Sequence, residues 1–465
     1  MQYKMMVSAI ALIAAAQASA QETRIVTNPA DAGDGSLRAA LADLAATGGT
    51  VVIATEGDII AGAGFVYEGT APLTIIGAGQ TIRMGVNETV LAMRNGADLT
   101  MSDLSLVGPG GFDITARGDV DGPAGKGLFV DVRDDQTGVV ALDLTNVSVR
   151  DVAGHGIHIS DCTLADECGG GGGGAGEGSS ASISVRLSDV IVDRVGYGRF
   201  DADGLRVDER GAGDIHFTAN GSIFSRVGAD GVELDEGQDG SVVLRVSSSV
   251  FNNNGGYCDP VMLSAFPPAE PEGEFAEGVM AANAIPGAIT GSPDDRCFER
   301  EVDLYDDGSV EAYEFAIDVD DGFDIDEAGA GDIRGTISGS VIARNLDEGL
   351  DFDEEGPGGI HLMALSTIAR GNTDDGFKSS EEDAGDVMGL MINAVARDNG
   401  GVGIVFEEED AGDVRVEMRG GATSGNDDGD TSLEIVQEDD GAGALILIEA
   451  GLEEDIEVEG VTVTR

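Results

Sequence analysis

From Asp320 the chain reads DDGFDIDEAGAGDIRGTISGSVIARNL, and from Asp347 it reads DEGLDFDEEGPGGIHLMALSTIARGNT. Two more units follow without a gap, DDGFKSSEEDAGDVMGLMINAVARDNG from Asp374 and GVGIVFEEEDAGDVRVEMRGGATSGND from Gly401. Each is 27 residues long, and DGLRVDE from Asp203 and DGVELDE from Asp230 stand at the same interval. A fixed period in this range restricts the fold to a solenoid, because a single unit cannot bury its own apolar face.

The pattern inside a unit selects the kind of solenoid. After each repeat glycine, apolar residues alternate with polar ones: Leu205/Val207, Val232/Leu234, Phe323/Ile325, Leu350/Phe352. Alternation at period two is a strand with one buried face. A second alternating stretch follows the AGD turn, as in Ile333/Ile337, Ile360/Leu362 and Val414/Val416. No helical periodicity occurs within the units, so helical and leucine-rich repeats are disfavoured. Asn345, Asn372, Asn399 and Asn426 recur at the same interval, and Asn254 holds the equivalent place after Gly231. Stacked coils would set these amides one above another in a hydrogen-bonded column.

With that pattern the chain resembles the right-handed parallel β-helix, or pectate-lyase-like, superfamily over nearly its whole length after residue 20. The expected fold is all-β, a single-stranded right-handed parallel β-helix with about 27 residues per coil. GSLRAALADLA places Leu37, Ala40, Leu41 and Leu44 on one helical face with Ser36 as N-cap, and predicts a short N-terminal capping helix.

Residues 1–20 carry one charge, Lys4, then an apolar run and Ala18-Ser19-Ala20, the order of a secretory signal peptide cleaved before Gln21. The run is too short to span a bilayer, and the remaining residues 21–465 contain no transmembrane candidate. The expectation is a secreted protein, whether periplasmic, cell-surface or extracellular. Two segments interrupt the period, a glycine-rich loop at about 162–180 and a Pro-rich acidic insertion at about 257–315. An insertion is where a solenoid places a lid or binding loop; solvent-exposed decoration is the alternative. Cys162, Cys168, Cys258 and Cys297 are an even number in an exported chain, which suggests disulfides without fixing their pairing.

The formal charge is −61. Nucleic acid is excluded as a partner, because phosphate recognition needs basic surface. Cations, basic surfaces or a saline medium are favoured. Stacking turns the repeat into columns of acids. Before each repeat glycine stand Asp203, Asp230, Asp321, Glu348 and Asp375; four residues after it come Asp208, Asp235, Asp326 and Asp353; and one further come Glu209, Glu236, Glu327, Glu354, Glu381 and Glu408. At about 4.8 Å between coils, neighbouring charges repel by roughly 1 kcal/mol in water and about 3–4 kcal/mol at an effective dielectric near 20. Salt, raised pKa values or bound cations must offset this. Ca²⁺ suits the donor set, because it accepts six to eight oxygens in loose geometry. Asp321, Asp326, Glu348, Asp353 and Asp375 are the candidate ligands drawn from the columns.

Beyond residue 20 there are only two lysines, Lys126 and Lys378. Calcium-dependent polysaccharide lyases of this superfamily place aspartates and a basic residue on one strand face. That resemblance implies Asp351, Asp374 and Asp375 as metal ligands and Lys378 as the base that removes a proton α to a uronate carboxylate. Arg370 and Arg397 share a column and are candidates to bind an anionic substrate. Against this, the surrounding acids raise a lysine's pKa, and pairing of Lys378 with Asp351 or Glu381 is the favoured account of it. Related hydrolases use NTD, DD, GHG and RIK motifs; here NTDD and GHG occur in reversed order and RIK is missing. His155 and His158 are read as turn or surface residues rather than a metal pair. The favoured function is an acidic, calcium-binding protein that binds polysaccharide or another component of the cell envelope. A calcium-dependent lyase and an adhesin-like surface protein are the alternatives. The oligomeric state is not legible.

Overall fold

Alternation makes each unit a set of short strands, and the constant interval stacks them in parallel. The computed structural model describes residues 22–113, 124–162, 178–199, 201–255, 275–281, 284, 299–305, 308–316, 320–438 and 441–465. Leu205–Glu209 pairs with Val232–Glu236, then come Phe323–Glu327 and Leu350–Glu354, equivalent residue beside equivalent residue. Ser380–Glu381, Ile404–Glu408 and Thr431–Gln437 continue this 12-stranded parallel sheet. A 23-stranded sheet carries two further rows. One contains Val242–Ser247, Asp332–Ser338 and Gly359–Leu365; the other contains the short strands Val250–Asn252, Val341–Ala343 and Ile368–Arg370. The chain is thus a parallel β-helix, with the right-handed coil that parallel crossovers adopt.

The interior is continuous and apolar. Phe217, Phe224, Phe251, Phe323 and Phe352 lie buried along it, with Phe224 and Phe251 stacked at 5.3 Å. Asparagine forms the expected ladder. The Asn345, Asn372 and Asn399 side-chain amides donate to Asn372, Asn399 and Asn426 Oδ1 at 3.0, 3.1 and 2.8 Å. The repeat glycine follows from how closely the coils approach. A Cβ at Gly349 would stand 2.5 Å from the Gly376 carbonyl oxygen and 2.6 Å from Asn372 Nδ2, so any larger residue would push the coils apart.

Leu37–Leu44 is helical, with Ser36 Oγ accepting the Ala39 N–H at 3.3 Å. It buries the predicted Leu37, Ala40, Leu41 and Leu44 against Thr23–Val26, Gly49–Ile53 and Phe65–Tyr67. Between residues 255 and 320 the sequence departs from the 27-residue interval, yet the coils on either side join directly, with Glu236 beside Glu327 and Val250–Asn252 beside Val341–Ala343. Within that interval, Glu299–Leu304 and Val310–Ala316 form an antiparallel pair outside the parallel stack. Residues 1–20, read from the sequence as a signal peptide, most of both interruptions, and Cys168, Cys258 and Cys297 lie outside the described residues. Cys162 is buried. No described helix is long and apolar enough to cross a membrane.

Candidate functional site

The outer face of the 12-stranded sheet presents every second residue of its strands: His158, Arg206, Glu233, Asp324, Asp351, Lys378 and, two residues on, Asp208, Asp235, Asp326 and Asp353. Much of this face is buried. Asp208 is 0% exposed, Asp235 2%, Arg206 3% and Asp351 7%. Charges in such surroundings must be paired or neutralised, and two regions of this face and a third on the inward side of the same strands do this differently.

In the first, Arg206 is surrounded. Its Nε donates to Asp208 at 2.7 Å, and its terminal nitrogens reach Glu233 at 2.6 Å, Asp235 at 2.7 Å and Asp201 at 2.9 Å. Asp201, Asp203 and Glu233 have the spacing of a metal site, but the guanidinium already supplies their positive charge. Glu233 is also shared with Asp324 and Asp326.

In the second, Asp321, Asp347 and Glu348 bring carboxylate oxygens within 4.8 Å of one another. Asp321 is buried, and its Oδ1 has no hydrogen-bond donor. Oxygens at that separation can share one ion at 2.3–2.6 Å, and an all-carboxylate set suits Ca²⁺. Burial, then Glu348 and Asp351, hold the Asp321 carboxyl well above the usual range. Burial and Asp351 raise Glu348 to about 7, and burial and Glu348 raise Asp347 to about 10. Asp321 and Glu348, both expected ligands, are therefore brought together, with Asp347 as a partner the columns did not single out. Asp326 joins Glu233 and Asp324 instead. Asp374 is exposed, and Asp375 accepts the Val402 N–H; neither belongs to a convergent acidic group among the described residues.

Lys378 sits beside this region. Its Nζ donates to Asp351 at 2.8 Å and lies 3.7 Å from Glu348 and 4.0 Å from Asp353. Burial opposes its charge, but the carboxylates of Asp351, Asp353 and Glu348 outweigh burial and raise its pKa. A general base must be neutral part of the time. Lys378 is held here as a counter-ion to these carboxylates, an arrangement that disfavours the role of base. Arg370 and Arg397 pair in register on the other sheet, on strands that do not carry Lys378.

The third region faces inward. Glu209, Glu236, Glu327, Glu354, Glu381 and Glu408 were grouped with the acidic columns, yet each is fully buried. The N–H groups of Gly213, Gly240, Gly329, Gly356 and Asp383 donate to the first five of these carboxyls in turn. Second oxygens of Glu209, Glu327, Glu354 and Glu381 have no donor and lie toward neighbouring glutamates. Two carboxyl oxygens can bond only if one carries a proton. Burial and these neighbours raise Glu236 and Glu354 to about 10, while burial and Asp161 raise Glu209 to about 8 and burial and Glu408 raise Glu381 to about 7. The column ends at Asp161, which accepts the Arg210 and Ser179 N–H groups, and at Gln437, whose amide donates to Glu408.

Sequence reading also missed the cluster beyond Arg206. His155 and His158, read as residues of the turn or surface, have rings 4.6 Å apart, and the imidazole of His158 is buried. His158 Nε2 bonds Asp208 Oδ2 at 2.6 Å, and Lys126 Nζ touches His158 Nδ1. These residues lie in coils of irregular length, where the 27-residue interval gives no alignment.

Fold and face together define a parallel β-helix with a buried, carboxyl-lined outer surface. No family model and no curated protein matches the sequence. Among solved structures, a Geobacillus virus E2 protein, ORF18, is similar at 8% identity and TM-score 0.41, the alignment covering 94% of this chain and 61% of that one. A point mutant of the periplasmic alginate epimerase AlgG is similar at 10% identity and TM-score 0.27, covering 86% of this chain and 78% of that one. The fold assignment rests on the observed ladders, and neither likeness enters the functional argument.

Proposed function

We propose that this is an exported binding protein of the cell envelope or extracellular space. Its stacked acidic face takes Ca²⁺ at Asp321, Asp347 and Glu348 and, through the metal, an anionic polysaccharide. The observation that carries the reading is the donorless, buried Oδ1 of Asp321 inside a trio of convergent carboxylates. An anionic polymer can follow the long parallel face, and it approaches so acidic a surface only where a cation bridges the two. Catalysis by Lys378 is no part of the proposal, since its ammonium is held by carboxylates.

Titration calorimetry of the metal-free protein with Ca²⁺ tests the first step. Saturable binding that Asp321→Asn weakens at least tenfold supports it, and heats of dilution alone refute it. Binding to a panel of uronate polymers, with Ca²⁺ and with excess chelator, tests the second. Capture that is indifferent to chelator would remove the bridging role.

A further inference from the structure

We propose that Lys126, His158 and Asp208 form a separate chemically active site, in which the Lys126 amine is a nucleophile toward a small aldehyde or ketone. The cluster lies on other coils from the carboxylate trio, and this inference does not depend on the metal-binding reading.

The geometry is that of an activated nucleophile held by an oriented partner. Arg206 Nε fixes Asp208 from one side at 2.7 Å, and His158 Nε2 meets the other carboxylate oxygen at 2.6 Å. An ionised carboxylate only accepts, so Nε2 carries the imidazole proton and Nδ1 keeps its lone pair. That lone pair faces Lys126 Nζ. The amine can donate one N–H to it and leave its own lone pair directed elsewhere. Phe129 flanks the amine, with Nζ 4.6 Å from the ring centre, and packs on His158 at 5.3 Å between ring centres. Among the described residues no carboxylate pairs directly with Lys126, in contrast to Lys378 with Asp351, Glu348 and Asp353. Lys126 is nevertheless only partly buried, so a small molecule can reach it.

The charges facing the amine come from its own coil and from those that follow: Asp131 on its own, His155 and His158 on the next, and Arg199, Asp203, Arg206 and Asp208 beyond. Burial lowers the Lys126 pKa to about 8 against the pull of Asp208, and Arg206 and Arg199 add to the lowering. Burial likewise lowers His158 to about 3, which keeps the ring neutral. His158 and Asp208 are therefore positioning residues, and the amine supplies the reactive electron pair.

In the reaction, nitrogen forms a bond to the carbonyl carbon while the C=O π pair moves to oxygen. Both amine protons pass through solvent to that oxygen, which leaves as water, and a C=N bond remains. Nothing else is consumed.

The test uses the full-length exported chain with glyoxylate as the carbonyl probe and cyanoborohydride as the trapping reductant, followed by peptide mass mapping. Beyond residue 20 the chain has two lysines, so the comparison is internal. At pH 8 we expect Lys126 to be alkylated more than about a hundredfold faster than Lys378, since each unit of pKa is tenfold in neutral amine. The rate at Lys126 should show a midpoint near pH 8. His158→Ala admits water and should move that midpoint upward, slowing labelling at pH 8 by about tenfold or more. Equal labelling of the two lysines in the unsubstituted protein overturns the proposal, as does a Lys126 midpoint above pH 10. An unmoved midpoint in a folded His158→Ala removes His158 from it.

Discussion

Replacing Glu354 by Gln should stabilise the protein at neutral pH. Glu354 is fully buried in the inward column, with Gly356 N–H on one oxygen and its pKa raised to about 10 by burial and by Glu327 and Glu381. An acid whose folded pKa lies above its unfolded value contributes full stability below the unfolded pKa and loses it as pH rises. The unfolded carboxyl titrates near 4.3, and each pH unit above that removes about 1.4 kcal/mol. At pH 7 the ceiling is therefore about 3.7 kcal/mol, and sharing of protons along the column reduces the expected gain to about 2 kcal/mol. Gln carries its own donor permanently, as Gln437 does at the end of the same column. Urea unfolding at pH 4.5, 7 and 8.5 measures the effect, with exposed Glu459→Gln as the control for removing one negative charge. The gain should be near zero at pH 4.5 and grow with pH, beyond the control. A loss of more than about 1 kcal/mol at pH 7 would mean that the column is ionised and balanced by something other than protons.

Other consequences are equally direct. Calcium affinity should rise between pH 6 and 8, with proton release on binding, because Glu348 titrates near 7 and Asp347 near 10 in the metal-free protein; calorimetry in buffers of different ionisation enthalpy would detect it, and pH-independent affinity would contradict the ligand set. Lys378→Met should lower stability by about 2 kcal/mol by stranding Asp351, and added Ca²⁺ should restore part of that loss; a variant as stable as the parent would argue against the counter-ion role. Gly349→Ala should cost about 3 kcal/mol or prevent folding, since its Cβ would overlap the Gly376 carbonyl; an unchanged urea midpoint would show that the coils can separate locally.

Much of the fold was legible because the repeat states it several times. Leu350 and Phe352 gave the buried face, Asn372 the ladder, and Ser36 with Leu37, Leu41 and Leu44 the helix. The inward glutamates were legible too. In LRVDE the alternation that buries Leu205 and Val207 also buries Glu209. The expectation that acids face water hid what the period of two already implied. Lys378 was placed correctly beside Asp351, but its protonation depends on the distances to Glu348 and Asp353, which no spacing rule supplies. Lys126, His158 and Asp208 were out of reach, because irregular coils set them 32 and 50 residues apart.

The direct pairing of Glu236 with Glu327 carries a wider meaning. The stretch at about 257–315 can be lengthened or exchanged while Val250–Asn252 and Val341–Ala343, on either side of it, keep the same pairing. Such a junction separates the part of the sequence that must obey the backbone from a part free to follow a partner. A lineage could change what it recognises there while inheriting its framework intact.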